Sequence, residues 1–265
     1  MKIKIIAFLT LIIFNFNTFY AQDKFYLDEN IVEIDSIEFK KKCKIHILKC
    51  LTYKTNSVEV NKVLYDFAFG KLSPIAYEQI KKTLIQKSLK NIDNDATLLI
   101  NYRDSLYDFE IRKKNYDIHI QEHKDAKHHK FTFETFDKSR KKWISKQQKC
   151  SSKIDEKFNT ATFYVYNFDY GSIEHYPDLG WIKDRSIFKN IFFQIYGNYR
   201  YLVLKPDGEY FLCGSHFSDS NLKYLLKNKD WTKIKSDFKE SYVSESSVGV
   251  GRFKKGFNNH LEHCF

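Results

Sequence analysis

The chain has five cysteines in 265 residues, and no two of them stand as C-x-x-C. That absence removes the dithiol on which thiol–disulfide exchange ordinarily turns. Beyond the first residues no apolar run approaches the roughly 20 residues of a membrane span, and no cysteine sits where a lipid anchor would need one. Glycine never adopts phosphate-loop order: Gly249, Gly251 and Gly256 in VGVGRFKKG follow no clear strand and read as part of a flexible tail. Aromatic residues are not interleaved in a base-stacking signature, so nucleic acid is not an expected partner. Ser215, His216 and Asp219 are too close in sequence to converge as a nucleophilic triad.

What is present begins at the N-terminus. Lys2 and Lys4 precede an apolar run from Ile5 to Phe14, and Ala21 stands before a polar start. A basic head, a short hydrophobic stretch and a small residue predict a secretory signal over residues 1–21 and an exported product, periplasmic or secreted. The remaining 244 residues (265 minus 21) fit one large domain, or a core domain with a smaller N-terminal unit. With 24 Phe and 18 Tyr there is ample apolar area for a core. Removing Lys2 and Lys4 takes the formal charge from +11 to +9, and residues 112–157 alone hold fourteen Lys and Arg against seven Asp and Glu. Most of the positive charge is therefore local. Such a stretch suits an acidic protein, an acidic glycan or a membrane surface, and it also suits a plain solvated helix face.

Outside the cytosol disulfides are permitted, but Cys43, Cys50, Cys150, Cys213 and Cys264 make an odd number. On one continuous helix Cys43 and Cys50 would lie about 10 Å apart, so they can pair only if the chain turns between them. Cys150 falls on the apolar stripe of a helix and Cys213 on a strand. Both read as small buried hydrophobes, with a Cys150–Cys213 bridge across the core left open.

Residues 22–96 read as an α+β extension. FYLDENIVEI has the pattern of a hairpin. Asp35 and Glu38 start a short helix, KIHILKCLTYK alternates like a strand, and Ser73 caps a helix with Pro74 in its first turn and Tyr77, Ile80 and Leu84 inward. TLLINY from Thr97 is a near-continuous apolar run, expected as a strand buried on both faces. After a basic, polar insertion (103–135), Phe136, Trp143, Gln147, Cys150, Ile154 and Phe158 form the stripe of a long helix. ATFYVYNF is a second strand. DRSIFKNIFFQIYG is a helix capped by Asp184, with Ile187, Phe188, Ile191, Phe192 and Ile195 inward and Gly197 at its end. YRYLVLKPDGEYFLC is a hairpin turning at Pro206, Asp207 and Gly208, and a helix carrying Leu222, Leu225 and Leu226 follows. A C-terminal helix and flexible tail (231–265) complete the chain.

The order β-α-β-α-β-β-α, with a hairpin of the form YLVLKPDGEYFLCG before a short Leu-rich helix, resembles the thioredoxin-like superfamily over residues 97–228, within a domain expected to span 97–230. The resemblance implies an α/β fold whose first strand is followed by the redox loop. Here that position reads Asn101, Tyr102, Arg103, Asp104, Ser105, Leu106 without a cysteine, and the proline expected near Tyr199 is missing. The resemblance therefore implies the scaffold without its chemistry, a binding or interaction module.

One further motif carries chemistry. His119, Glu122 and His123 form H-x-x-E-H, in which two histidines on one helix face could share a zinc ion while Glu122 activates its water. His128 and His129 add to the local enrichment. A third ligand must come from elsewhere, with Glu174 and Glu209 the candidates. No apolar stripe seats this segment in a core, and its lysines oppose a dication, so a polar surface loop is the plainer expectation. An anion-binding face is expected at Lys124, Lys127, Lys130, Arg140 and Lys141. The competing enzymatic readings are an atypical thiol oxidoreductase and a metal-dependent hydrolase.

Overall fold

The structure is a computed structural model that describes residues 23–55, 57–123, 130–170, 179–193, 201–213 and 219–255. The signal segment expected over residues 1–21 lies outside them. The chain is mixed α/β and divides into two units: one of residues up to Cys43 with Lys49–Leu64, the other of Lys44–Leu48 with the chain from Tyr65 onward. Among the described residues no helix is long and apolar enough to cross a membrane.

The first unit is built on a three-stranded sheet of β1 (Asp23–Leu27), β2 (Leu48–Lys54) and β3 (Val58–Tyr65), with β3 in the middle and parallel to β1. The expected hairpin after β1 forms only its turn. Asp28 accepts backbone hydrogen bonds from Asn30 and Val32, both at 2.8 Å, and the return strand reaches a single bridge at Glu33. The short helix α1 (Ser36–Lys42) begins as its sequence requires, with the Asp35 carboxylate accepting from the amides of Ile37 and Glu38. Glu29, whose side chain is fully buried, accepts from Lys42 at 2.8 Å. Cys43 and Cys50 form a disulfide, because the chain does turn between them and brings their Cα atoms to 5.6 Å.

The second unit carries a six-stranded sheet in the order β4-β9-β8-β5-β6-β7, formed by β4 (Phe67–Lys71), β5 (Thr97–Tyr107), β6 (Thr160–Tyr170), β7 (Ile182–Lys183), β8 (Tyr201–Leu204) and β9 (Glu209–Cys213). β5 pairs parallel to β6 and antiparallel to β8, and β8 pairs antiparallel to β9. Leu98, Ile100 and Tyr102 of β5 and Ala161, Phe163 and Val165 of β6 point to one face. They pack there against Tyr77, Ile80 and Leu84 of helix α2 (Pro74–Ser88) and against Phe188 and Phe192. β4 and α2 thus belong to this sheet and core, not to an N-terminal extension reaching residue 96, because their apolar side chains complete it.

Two helices join β5 to β6. The first, α3 (Phe109–Glu122), occupies much of the stretch expected as a polar loop. Asp108 caps it, and no residue of it is buried, which is why hydrophobic periodicity does not reveal it. The long helix α4 (Phe133–Phe158) is capped by Thr132 and ends at Asn159 in the left-handed conformation. Ile144 and Ile154 are its buried residues. Beyond β6, Asp184 caps as expected, accepting from the amides of Phe188 and Lys189. The turn it starts is π-helical over Lys189–Phe193. Phe188 and Phe192 are buried, whereas Ile187 and Ile191 stay exposed at 38% and 46%, since one face of a short turn seats only an i, i+4 pair. Ile195 and Gly197 lie outside the described residues.

Gly208 turns the β8–β9 hairpin at φ +83°. Helix α5 (Asp219–Lys227) buries Leu225, and helix α6 (Thr232–Val243) buries Ile234. The following segment is not a loose tail through Lys255: a 3-10 turn at Gly251–Phe253 seats Phe253, 1% exposed, against Phe67 and Phe238 at 5.0 and 5.4 Å. Asp237 holds it in place, accepting from the Arg252 amide at 3.1 Å.

Candidate functional site

The C-terminal half of β5, the start of α3, the start of α4 and the residue preceding β7 enclose a cleft of about 370 Å³ in the second unit. β5 contributes Arg103, Ser105, Leu106 and Tyr107, α3 contributes Arg112, and Trp181 closes the side. From α4 come Phe136, Ser139, Arg140 and Trp143, spaced three and four apart so that one helix face lines the cavity. Among the described residues lining the cleft there is no Asp or Glu, whereas three are arginines.

The aromatic groups are fixed before any ligand arrives. Phe109 packs against Phe131, Phe133 and Phe136 at 5.5–5.7 Å, and Tyr116 lies 5.1 Å from Phe131, which ties α3 to the beginning of α4. Trp143 and Trp181 pack on Leu106 and Tyr166. A narrow recess of about 10 Å³ continues behind the two tryptophans, lined by Asn101, Gln147, Tyr164 and Tyr201. Burial pushes the Tyr164 phenol up to about 12, and its hydroxyl meets the Gln147 carbonyl at 3.3 Å.

The guanidinium groups are also oriented. Arg103 lies 5.7 Å over the Trp143 ring, and Arg112 lies 5.2 Å over Tyr107, which itself stacks on Tyr170 at 5.5 Å and 7°. Arg140 donates to Asp137 at 2.5 Å, and Lys141 meets the other oxygen of the same carboxylate at 2.8 Å. Hydrogen bonds from Lys141 and then Arg140 hold the Asp137 carboxyl below its ordinary range. A cavity with apolar walls and cations held on ring faces favours a ligand that is both anionic and apolar.

Of the residues expected as an anion-binding face, Lys124 and Lys127 lie outside the described residues, while Lys130 is exposed and lines no part of the cleft. Arg140 is not an open surface cation. Its side chain is 15% exposed and engaged by Asp137, because Phe136 and Trp143 turn that helix face inward. Lys141 remains 71% exposed.

The H-x-x-E-H residues fall at the end of α3, with His123 as its C-cap. The rings of His119 and His123 lie 4.3 Å apart. Among the described residues no three His, Cys, Asp or Glu side chains gather as a metal site requires. Glu209 is committed elsewhere, to Lys205 and Lys235, and Glu174 lies outside the described residues.

Cys213 is a free, buried thiol on β9, and Cys150 is disulfide-bonded. The Cys150–Cys213 bridge is therefore not formed. Burial, with Asp66 adding to it, pushes the Cys213 thiol well up, the opposite of what an attacking thiolate needs.

The cleft itself is not announced in the sequence. Arg103, Ser105 and Tyr107 alternate at strand spacing beyond the apolar run of β5, and Phe136, Arg140 and Trp143 repeat at helical spacing. Those two periodicities are the signal that could have found it. No family model, no curated protein and no solved structure matches the chain.

Proposed function

We propose that the second unit is a thioredoxin-like domain without thiol chemistry, serving an exported protein as a binding module for an acidic partner. The observation that carries this reading is the strand order β6-β5-β8-β9, with β5 and β6 parallel and the last two strands antiparallel. A parallel pair followed by an antiparallel hairpin supports the scaffold reading, and the cleft is lined by the C-terminal half of β5, the strand whose end the redox loop would follow. Support for the loss of chemistry comes from the free thiol being buried on a different strand. The Cys43–Cys50 disulfide belongs to the first unit and spans seven positions instead of three. With no third metal donor gathered at it among the described residues, the histidine pair gives less support to a hydrolase.

The test combines two thiol measurements on the folded protein. Cys213 should fail to react with a chromogenic disulfide reagent until denaturant is added, and the protein should not speed dithiothreitol-driven reduction of insulin. Rapid native labelling or accelerated insulin reduction would overturn the reading in favour of an oxidoreductase.

A further inference from the structure

We infer that the cleft between β5 and α4 takes a small organic acid, one carboxylate carried on an apolar body. The inference deepens the binding-module reading above and rests on it for physiological meaning, but its chemistry stands on the cleft. The volume of about 370 Å³ lies near the lower end of ligand pockets, roughly 300–1,000 Å³, so the body is small. Phe136, Trp143 and Trp181 supply ring walls that favour an apolar body over a heavily hydrated one. Arg103 and Arg112 are seated on aromatic faces, which restricts their planes in advance and lowers the entropy lost on binding. A planar carboxylate matches a planar guanidinium in a two-point bond.

The apolar walls point to a monoanion. Three guanidiniums are among the described residues that line the cavity, and one of them, Arg140, is engaged by Asp137. A strongly hydrated dianion such as phosphate gains charge contacts here but loses its water shell against ring carbons, which the apolar walls do not replace. Guanidinium remains charged throughout the accessible pH range, so binding depends on the ionisation of the ligand and not on that of the site.

The probes are 2-naphthoate, its neutral amide and inorganic phosphate, titrated into the full chain and followed by calorimetry. Two of the three tryptophans, Trp143 and Trp181, line the cleft, which makes intrinsic fluorescence a second readout. Naphthoate should bind at least tenfold more tightly than the amide or phosphate, with affinity unchanged from pH 6 to 9 and reduced by salt. Arg103→Met should weaken naphthoate about ten- to hundredfold while leaving amide binding nearly unchanged. Should Arg103→Met fail to fold, Arg112→Gln at an exposed position should produce a smaller loss of the same selectivity. Equal affinity for acid and amide, preference for phosphate, or naphthoate binding that ignores both arginine substitutions would each overturn the inference. The thiol assays fail or succeed separately: an active thiol would remove the binding-module reading, and a cleft indifferent to naphthoate would remove only this assignment.

Discussion

Glu209 offers the sharpest test of how the hairpin end is held. Its side chain is 14% exposed at the start of β9 and accepts from both Lys205 and Lys235. Lys205 in turn lies 4.6 Å over the Trp231 ring and donates to the Lys229 carbonyl at 2.6 Å, so one carboxylate links the β8–β9 turn, β9 and α6. Burial opposes ionisation of Glu209, but hydrogen bonds from Lys205 and Lys235 outweigh it and hold the carboxyl below 4.5. A depressed folded-state value means that the stabilisation is fully present above pH 4.5 and is lost as pH falls through the folded value. The Lys205 bond, being largely buried, contributes about 1–2 kcal/mol. The Lys235 bond is discounted to about 0.5 kcal/mol because that lysine is 41% exposed. Glu209→Gln keeps an acceptor oxygen, so it should cost about 1–2 kcal/mol at pH 7, a fall in Tm of about 2–8 °C. Urea unfolding of both proteins at pH 7, 5 and 3 should show this gap intact at the first two values and closing at the third. A gap that stays constant down to pH 3, or none at pH 7, would refute the reasoning.

Two further substitutions probe other joints. At Gly208, φ is +83° and an added Cβ would meet the Leu72 carbonyl oxygen at 2.6 Å, so Gly208→Ala should cost about 2 kcal/mol or more, seen as a fall in the urea midpoint; an unchanged midpoint would contradict it. Asp155 accepts from Thr160 Oγ1 and Thr162 Oγ1, both at 2.7 Å, and from the Thr162 amide at 3.1 Å, fixing the passage from α4 into β6. Asp155→Ala should cost about 2–4 kcal/mol, and adding Thr162→Val should recover part of it by removing a buried hydroxyl left without its acceptor; full additivity of the two changes would argue against the network.

Where sequence was a good guide, local chemistry and tertiary packing asked for the same thing. Ser73 with Pro74, Asp35 and Asp184 cap where they should, because a cap is satisfied within one turn. The apolar runs at Thr97 and Ala161 become the paired parallel strands β5 and β6, and Gly208 turns the hairpin. The failures share a cause in the opposite direction. Helix α3 buries nothing, so it carries no stripe, and its position is set by the Phe109–Phe131–Phe136 contacts formed at its first turn. β4 reads as a fragment of an extension because its partner, β9, lies more than 130 positions away in sequence. The cleft is half legible: the excess of Lys and Arg over residues 112–157 points to an anion-binding surface, but what shapes the cavity is aromatic. Arg140, counted among the surface cations, is drawn inward by its neighbours on the helix.

The boundary between the two units crosses the chain in an unusual way. Lys44–Leu48 belongs to the second unit although Cys43 and Cys50, immediately around it, belong to the first and are joined to each other. Within the second unit His46 donates its backbone N–H to Ser246, and Asp66 donates to Ile47, while Ile45 and Ile47 are buried at 4% and 0%. The polypeptide therefore passes from one unit to the other three times before residue 66, and the first two passages lie inside a closed covalent ring. No single cut separates the units: cleavage within 44–48 leaves the ends tethered through sulfur, and a fragment begun at Tyr65 discards two core isoleucines of the body it was meant to isolate.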